Sequence, residues 1–73
     1  MRMNKDLRSR YYNVCYKGKI NSLFNNEQMS NQFYAQRRLL ESMLKGNEEE
    51  LDSILEKALE KAHNDFNFFT TLS

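Results

Sequence analysis

The sequence predicts an all-α protein, a small three- to four-helix bundle with a helical hairpin in its C-terminal half. Three observations predict it. Apolar residues recur at intervals of three and four along three stretches, proline is absent with glycine only at Gly18 and Gly46, and no segment alternates like a half-buried strand.

The first helix starts after Asn4, whose side chain can cap the first turn, and Asp6 follows where the helix dipole favours a carboxylate. Leu7, Tyr11, Val14 and Cys15 then share one face. Lys17, Gly18 and Lys19 read as its end, with the glycine as the C′ residue. Between Ile20 and Asn26, the caps Asn21 or Ser22 and the apolar pair Leu23 and Phe24 predict a short fourth turn at Ser22 to Asn26 or an ordered loop.

The second helix is expected from about Glu27 to Lys45, where Met29, Phe33, Leu40, Met43 and Leu44 keep the period and Tyr34 and Leu39 flank it. Gln36 interrupts this stripe. In GNEEE, Gly46 closes the helix, Asn47 caps the next, and Glu50 stands where the partner of a capping box belongs. So short a connection makes the second and third helices an antiparallel hairpin. The third helix carries Leu51, Ile54, Leu55, Ala58, Leu59 and Ala62 and extends through Phe66 to about Phe69. The expected core is Leu7, Tyr11, Val14, Phe33, Leu40, Leu44, Leu51, Leu55, Leu59 and Phe66.

At 73 residues the chain, 1–73, reads as a single domain, and a domain this small buries only about 60% of its unfolded surface. Cys15 and His63 are the only residues of their types, so neither a disulfide nor a zinc site is expected, and no cofactor or metal is implied. Cys15 reads as a small buried hydrophobe and His63 as a surface residue near Glu60 and Asp65. A chain with so little volume for a pocket is not expected to be an enzyme. The lone cysteine and the absence of a signal-like or membrane-spanning apolar run lead to a cytoplasmic expectation, with no membrane partner.

The net charge of +1 hides an asymmetry. Residues 1–45 hold nine cations against three carboxylates, +6, and residues 46–73 hold two against seven, −5. Such polarity points the basic part toward an anionic partner or toward the chain's own acidic helix.

Candidate contact residues concentrate in RSRYYNVCYKGK, Arg8 to Lys19. At helical spacing, Tyr12 and Tyr16 leave the core arc and form a ridge beside Arg8, while Arg10 and Lys17 flank the opposite side and Lys19 follows. Those six residues are the expected partner-binding set. Three readings stay open: a protein-interface hot spot, a stacking and phosphate-contacting surface for nucleic acid, or tyrosines that cover a neighbouring helix. A homodimer through the ridge, or through Phe66, Phe68 and Phe69, is a further possibility. Against DNA, no helix-turn-helix spacing is present and the acidic third helix would repel phosphates.

With the basic head MRMNKDLRSRYY and a helical hairpin behind it, the chain resembles small phage-encoded host-takeover proteins, of the kind that regulate host transcription. The resemblance implies a protein that binds bacterial RNA polymerase by protein-protein contact, inhibits promoter-dependent initiation, affects termination and works in the cytoplasm of the host. Small nucleic-acid-binding regulation through the first helix is the alternative.

Overall fold

Asn4 accepts the Leu7 N–H at 2.9 Å through its side-chain oxygen and starts the first of three helices. In the computed structural model, which describes residues 3–72, these are α1 (Lys5–Leu23), α2 (Glu27–Met43) and α3 (Glu48–Thr71). No strand occurs among the described residues.

The helix expected to stop at Gly18 runs on to Leu23. Gly18 is buried without a positive φ; a Cβ built there would lie 3.0 Å from the Tyr34 ring and 3.5 Å from the Phe33 Cβ. Its missing side chain therefore serves a close helix crossing. The terminating role passes to Asn25, at φ 63°, one of the few residue types that enter the left-handed region at low cost. Asn26 then caps α2, its side chain accepting from Met29 N–H at 3.4 Å. The expected fourth turn is thus the last turn of α1 followed by a tight reversal.

Gly46 does adopt a positive φ, 95°, between α2 and α3. The capping box expected around it takes another form: the Glu48 carboxylate accepts from the Gly46 N–H at 2.9 Å, while Glu50 turns to Arg8.

Helix α1 is the hub of the fold. It packs against both α2 and α3, whereas those two, antiparallel as expected of the hairpin, touch only sparsely. Contacts from Tyr11 to Glu41 and from Gly18 to Ser30 make α1 and α2 antiparallel. Contacts from Arg8 to Glu50, Tyr16 to Asp65 and Phe24 to Phe66 make α1 and α3 parallel. The physical cause is the supply of matching surfaces. Helix α1 offers apolar or small residues over a wide arc, and Ala58 and Ala62, both wholly buried, let α3 come close.

The core is Met3, Tyr11, Val14, Cys15, Leu40, Leu44, Leu51 and Ala58. Leu7, Phe33, Leu55, Leu59 and Phe66, expected inside, are half-buried, and Met29 and Met43 of the α2 stripe are exposed. A three-helix arrangement joined through one hub covers only the sides that face the hub.

One polar network crosses the α1–α2 contact. The Tyr11 hydroxyl donates to Glu41 at 2.6 Å, and the Arg37 guanidinium donates to the same carboxylate oxygen at 3.1 Å. Burial opposes ionisation of Glu41, but these two donors outweigh it and hold its pKa below the usual glutamate value. Burial and the Glu41 bond together push the Tyr11 phenol well above its usual range. The depressed Glu41 pKa contributes stability above the ordinary glutamate value, and that contribution is lost as pH falls through the folded-state value. Thermal melts at descending pH should therefore show a declining midpoint, with a shallower decline in Glu41→Gln. Identical slopes for the two proteins would refute the assignment.

Candidate docking face

The six candidate residues of α1 divide between its two neighbours. Arg8, Tyr12 and Tyr16 face α3. Arg8 forms an ion pair with Glu50 at 2.5 Å, Tyr12 packs half-buried on the core, and the Tyr16 hydroxyl donates to Asp65 at 2.5 Å. Lys61 stands 5.5 Å from the centre of the Tyr16 ring and pairs with the same Asp65 oxygen at 3.2 Å. The hydrogen bond to Asp65, assisted by burial, raises the Tyr16 phenol to about 12. The same bond and the Lys61 ammonium lower the Asp65 pKa. This cluster joins two helices. The tyrosine ridge that the helical wheel leaves off the core is covered by α3, because the wheel describes one helix and the hub has two partners.

Arg10 and Lys17 lie on the other side and are exposed. They border a shallow groove between α1 and α2 whose apolar floor is Val14 and Phe33 and whose polar wall includes Asn13 and Gln36. The Lys17 ammonium sits 5.8 Å from the Phe33 ring centre, within cation–π range. Among the described residues neither cation forms an ion pair, although Asp6 lines the same groove one helical turn before Arg10. Lys19 is half-buried and stands apart from this groove. Sequence reasoning named the cations but missed the α2 half of the groove. A signal was present in Gln36, the polar residue that breaks the α2 stripe at the point where the groove opens.

A second shallow groove, lined by Arg8, Ser9, Tyr12, Asn13, Ile54 and Lys57, separates α1 from α3. Its arginine is already engaged by Glu50. Asn13 belongs to both grooves, so the exposed strip of α1 forms a low ridge between them.

The remaining titratable groups form no constellation with obvious chemistry. The Cys15 thiol is buried, which raises its pKa, and His63 is exposed. Among the described residues no group of three or more metal-ligating side chains converges, and no helix is long and apolar enough to cross a membrane. Every buried side-chain nitrogen and oxygen among them has a hydrogen-bond partner. The charge polarity of the sequence is partly consumed inside the fold, since basic α1 lies along acidic α3. Comparison with protein-family models, with curated proteins and with solved structures finds no match, so the function has to be argued from these surfaces.

Proposed function

We propose that the protein acts by docking on another protein through the α1–α2 groove, with Arg10 and Lys17 receiving an acidic segment of the partner. The observation that carries this reading is the pairing of two exposed cations, neither in an ion pair among the described residues, with an apolar floor of Val14 and Phe33, Asp6 being the one acid on the groove's lining. Apolar contact supplies affinity at such a surface, and the cations supply orientation and rate of encounter. Arg8 and Tyr16 are already engaged within the fold, which leaves them a role in positioning α1 rather than in contact.

The target proposed is bacterial RNA polymerase, with inhibition of promoter-dependent initiation as the outcome, following the resemblance to phage-encoded regulators. Engagement of Tyr16 by Asp65 and burial of one side of Tyr12 favour protein over nucleic acid, because base stacking needs an open aromatic face.

Binding to purified polymerase holoenzyme, followed by a transcription assay, tests the proposal. Arg10→Glu with Lys17→Glu should weaken binding by at least about tenfold, the scale of two lost charged contacts, while helical circular dichroism is unchanged. Failure of the unaltered protein to bind polymerase would remove the target. Equal binding by the double variant would remove the groove, and steeply salt-dependent binding to naked DNA would favour the nucleic-acid alternative.

A further inference from the structure

The end of the bundle remote from the α2–α3 connection collects aromatic side chains that the fold does not cover. Phe24, which terminates α1, meets the last turns of α3: its ring lies 5.0 Å from Phe66 in an edge-to-face contact and 6.5 Å from Phe69. Phe68 adds a second edge-to-face contact with Phe69 at 5.8 Å. Despite these contacts the rings stay open to solvent, Phe68 at 62%, Phe69 at 50% and Phe24 at 49%, and Leu72 is exposed at 70%. Phe68 and Leu72, four residues apart, continue the patch along one side of α3.

The two segments that form this patch carry no charged side chain, although Lys19, Glu27 and Asp65 adjoin them in sequence. Charged residues make up 29% of the chain, yet none occurs in Ile20 to Asn26 or in Phe66 to Leu72. Asparagine, serine and threonine form the border instead. Asp65, which adjoins it in sequence, is paired with the Lys61 ammonium and accepts the Tyr16 hydroxyl. A partner chosen by charge would find no charged side chain within the patch itself. Two copies of this chain, in contrast, could bring these surfaces together without facing like charge against like.

We infer that this aromatic end is a self-association surface, and that two copies of the chain pair through Phe24, Phe68, Phe69 and Leu72 about a two-fold axis. An isologous contact uses the same patch on both copies, which suits a patch apolar at its centre and uncharged at its edge. The area suits a weak dimer. A phenylalanine carries about 200 Å² of surface, so three rings about half exposed and one leucine offer roughly 400 Å² per copy. Two such patches come to about 800 Å², below the roughly 1,000 Å² of a stable specific interface, which implies a weak and concentration-dependent pair. Arg10 lies about 20 Å along α1 from Phe24, so pairing leaves the Arg10 and Lys17 groove open on each copy. The inference does not rest on the proposed docking function.

Sedimentation equilibrium of the purified full chain, from about 5 to about 500 μM, tests it over the range expected for a small interface. The mass should rise from that of one chain toward that of two and stop there. Phe68→Ser with Phe69→Ser should remain monomeric or weaken association at least about tenfold, as expected on removal of central aromatic anchors. Circular dichroism melts establish that the variant is folded, and Phe68→Ser alone serves where the double change lowers helicity. A chain that stays monomeric throughout overturns the inference, as does variant association equal to the original or growth past the dimer. Binding of monomers to neutral phosphatidylcholine vesicles without dimerisation also overturns it, and assigns the patch to a lipid surface.

Discussion

Leu44→Ala is expected to abolish most of the folded population at physiological temperature. Leu44 is the C-cap residue of α2, has no solvent exposure, and belongs to the cluster that ties Met3, Leu40 and Leu51 together at one end of the bundle. Truncation of a wholly buried leucine costs about 2–5 kcal/mol, depending on how far the surroundings collapse into the cavity. A single small core rarely supplies more than about 3–5 kcal/mol in total. The loss is therefore comparable with the whole stability of the chain. Urea unfolding followed by helical circular dichroism measures it, with Leu39→Ala as the control. Leu39 is 63% exposed, and its truncation should change stability by about 0.5 kcal/mol or less. Equal effects of the two substitutions would contradict the assigned core.

Gly18→Val carries the second large effect. Adding a Cβ at Gly18 brings it to 3.0 Å and 3.1 Å from two atoms of the Tyr34 ring, and a valine then places two further methyl groups in the same crossing. The Gly18 carbonyl also accepts the buried Ser30 hydroxyl at 2.8 Å, so separation of α1 from α2 would strain that bond. Overpacking of this kind costs about 1–3 kcal/mol, with the strained hydrogen bond adding to it. Gly18→Ala is the instructive companion. Alanine is favoured over glycine within a helix by about 1 kcal/mol, and what its single methyl would crowd is the half-buried Tyr34 ring rather than backbone. The alanine variant should therefore fall much closer to the original than the valine variant. If both variants are at least as stable as the original, α1 and α2 do not cross at Gly18. A double-mutant cycle with Tyr34→Ala isolates the contact, because removal of the ring should relieve most of the valine penalty.

Gly18 and Gly46 show where a sequence is legible and where it is not. Both are glycines within or near predicted helices, and local reasoning gave both the same role. At Gly46 the signal was local and correct: the stripe ends, acidic residues follow, and φ is positive. At Gly18 the determining fact is an aromatic ring sixteen positions later, which no local pattern contains. The tyrosines of α1 repeat the lesson. Tyr11 belonged to the predicted face and is nearly inaccessible, whereas Tyr12 and Tyr16 lay off that face and are nonetheless packed. A wheel assumes one buried arc, and a hub helix has two.

The candidate face was legible only in part. Arg10 and Lys17 could be named because they flank the side of the wheel opposite the tyrosine ridge. Their distinction from Arg8 and Tyr16 required knowing that Glu50 and Asp65 come alongside from residues 42 and 49 positions away in the chain. The groove floor needed Phe33 from α2.

What the sequence determined by itself was the helical class, three helices with their approximate limits, and the caps at Asn4 and Gly46. All of these follow from interactions between residues within about four positions of each other, where backbone hydrogen bonds and capping groups act. Tertiary structure alone decided that α1 is the hub, that α3 runs parallel to it, that one set of basic and aromatic residues is engaged by α3, and that a phenylalanine patch stays exposed at one end. Those outcomes depend on which apolar surfaces can approach most closely. Only the packed chain determines how near Ala58, Ala62 and Gly18 allow the helices to come.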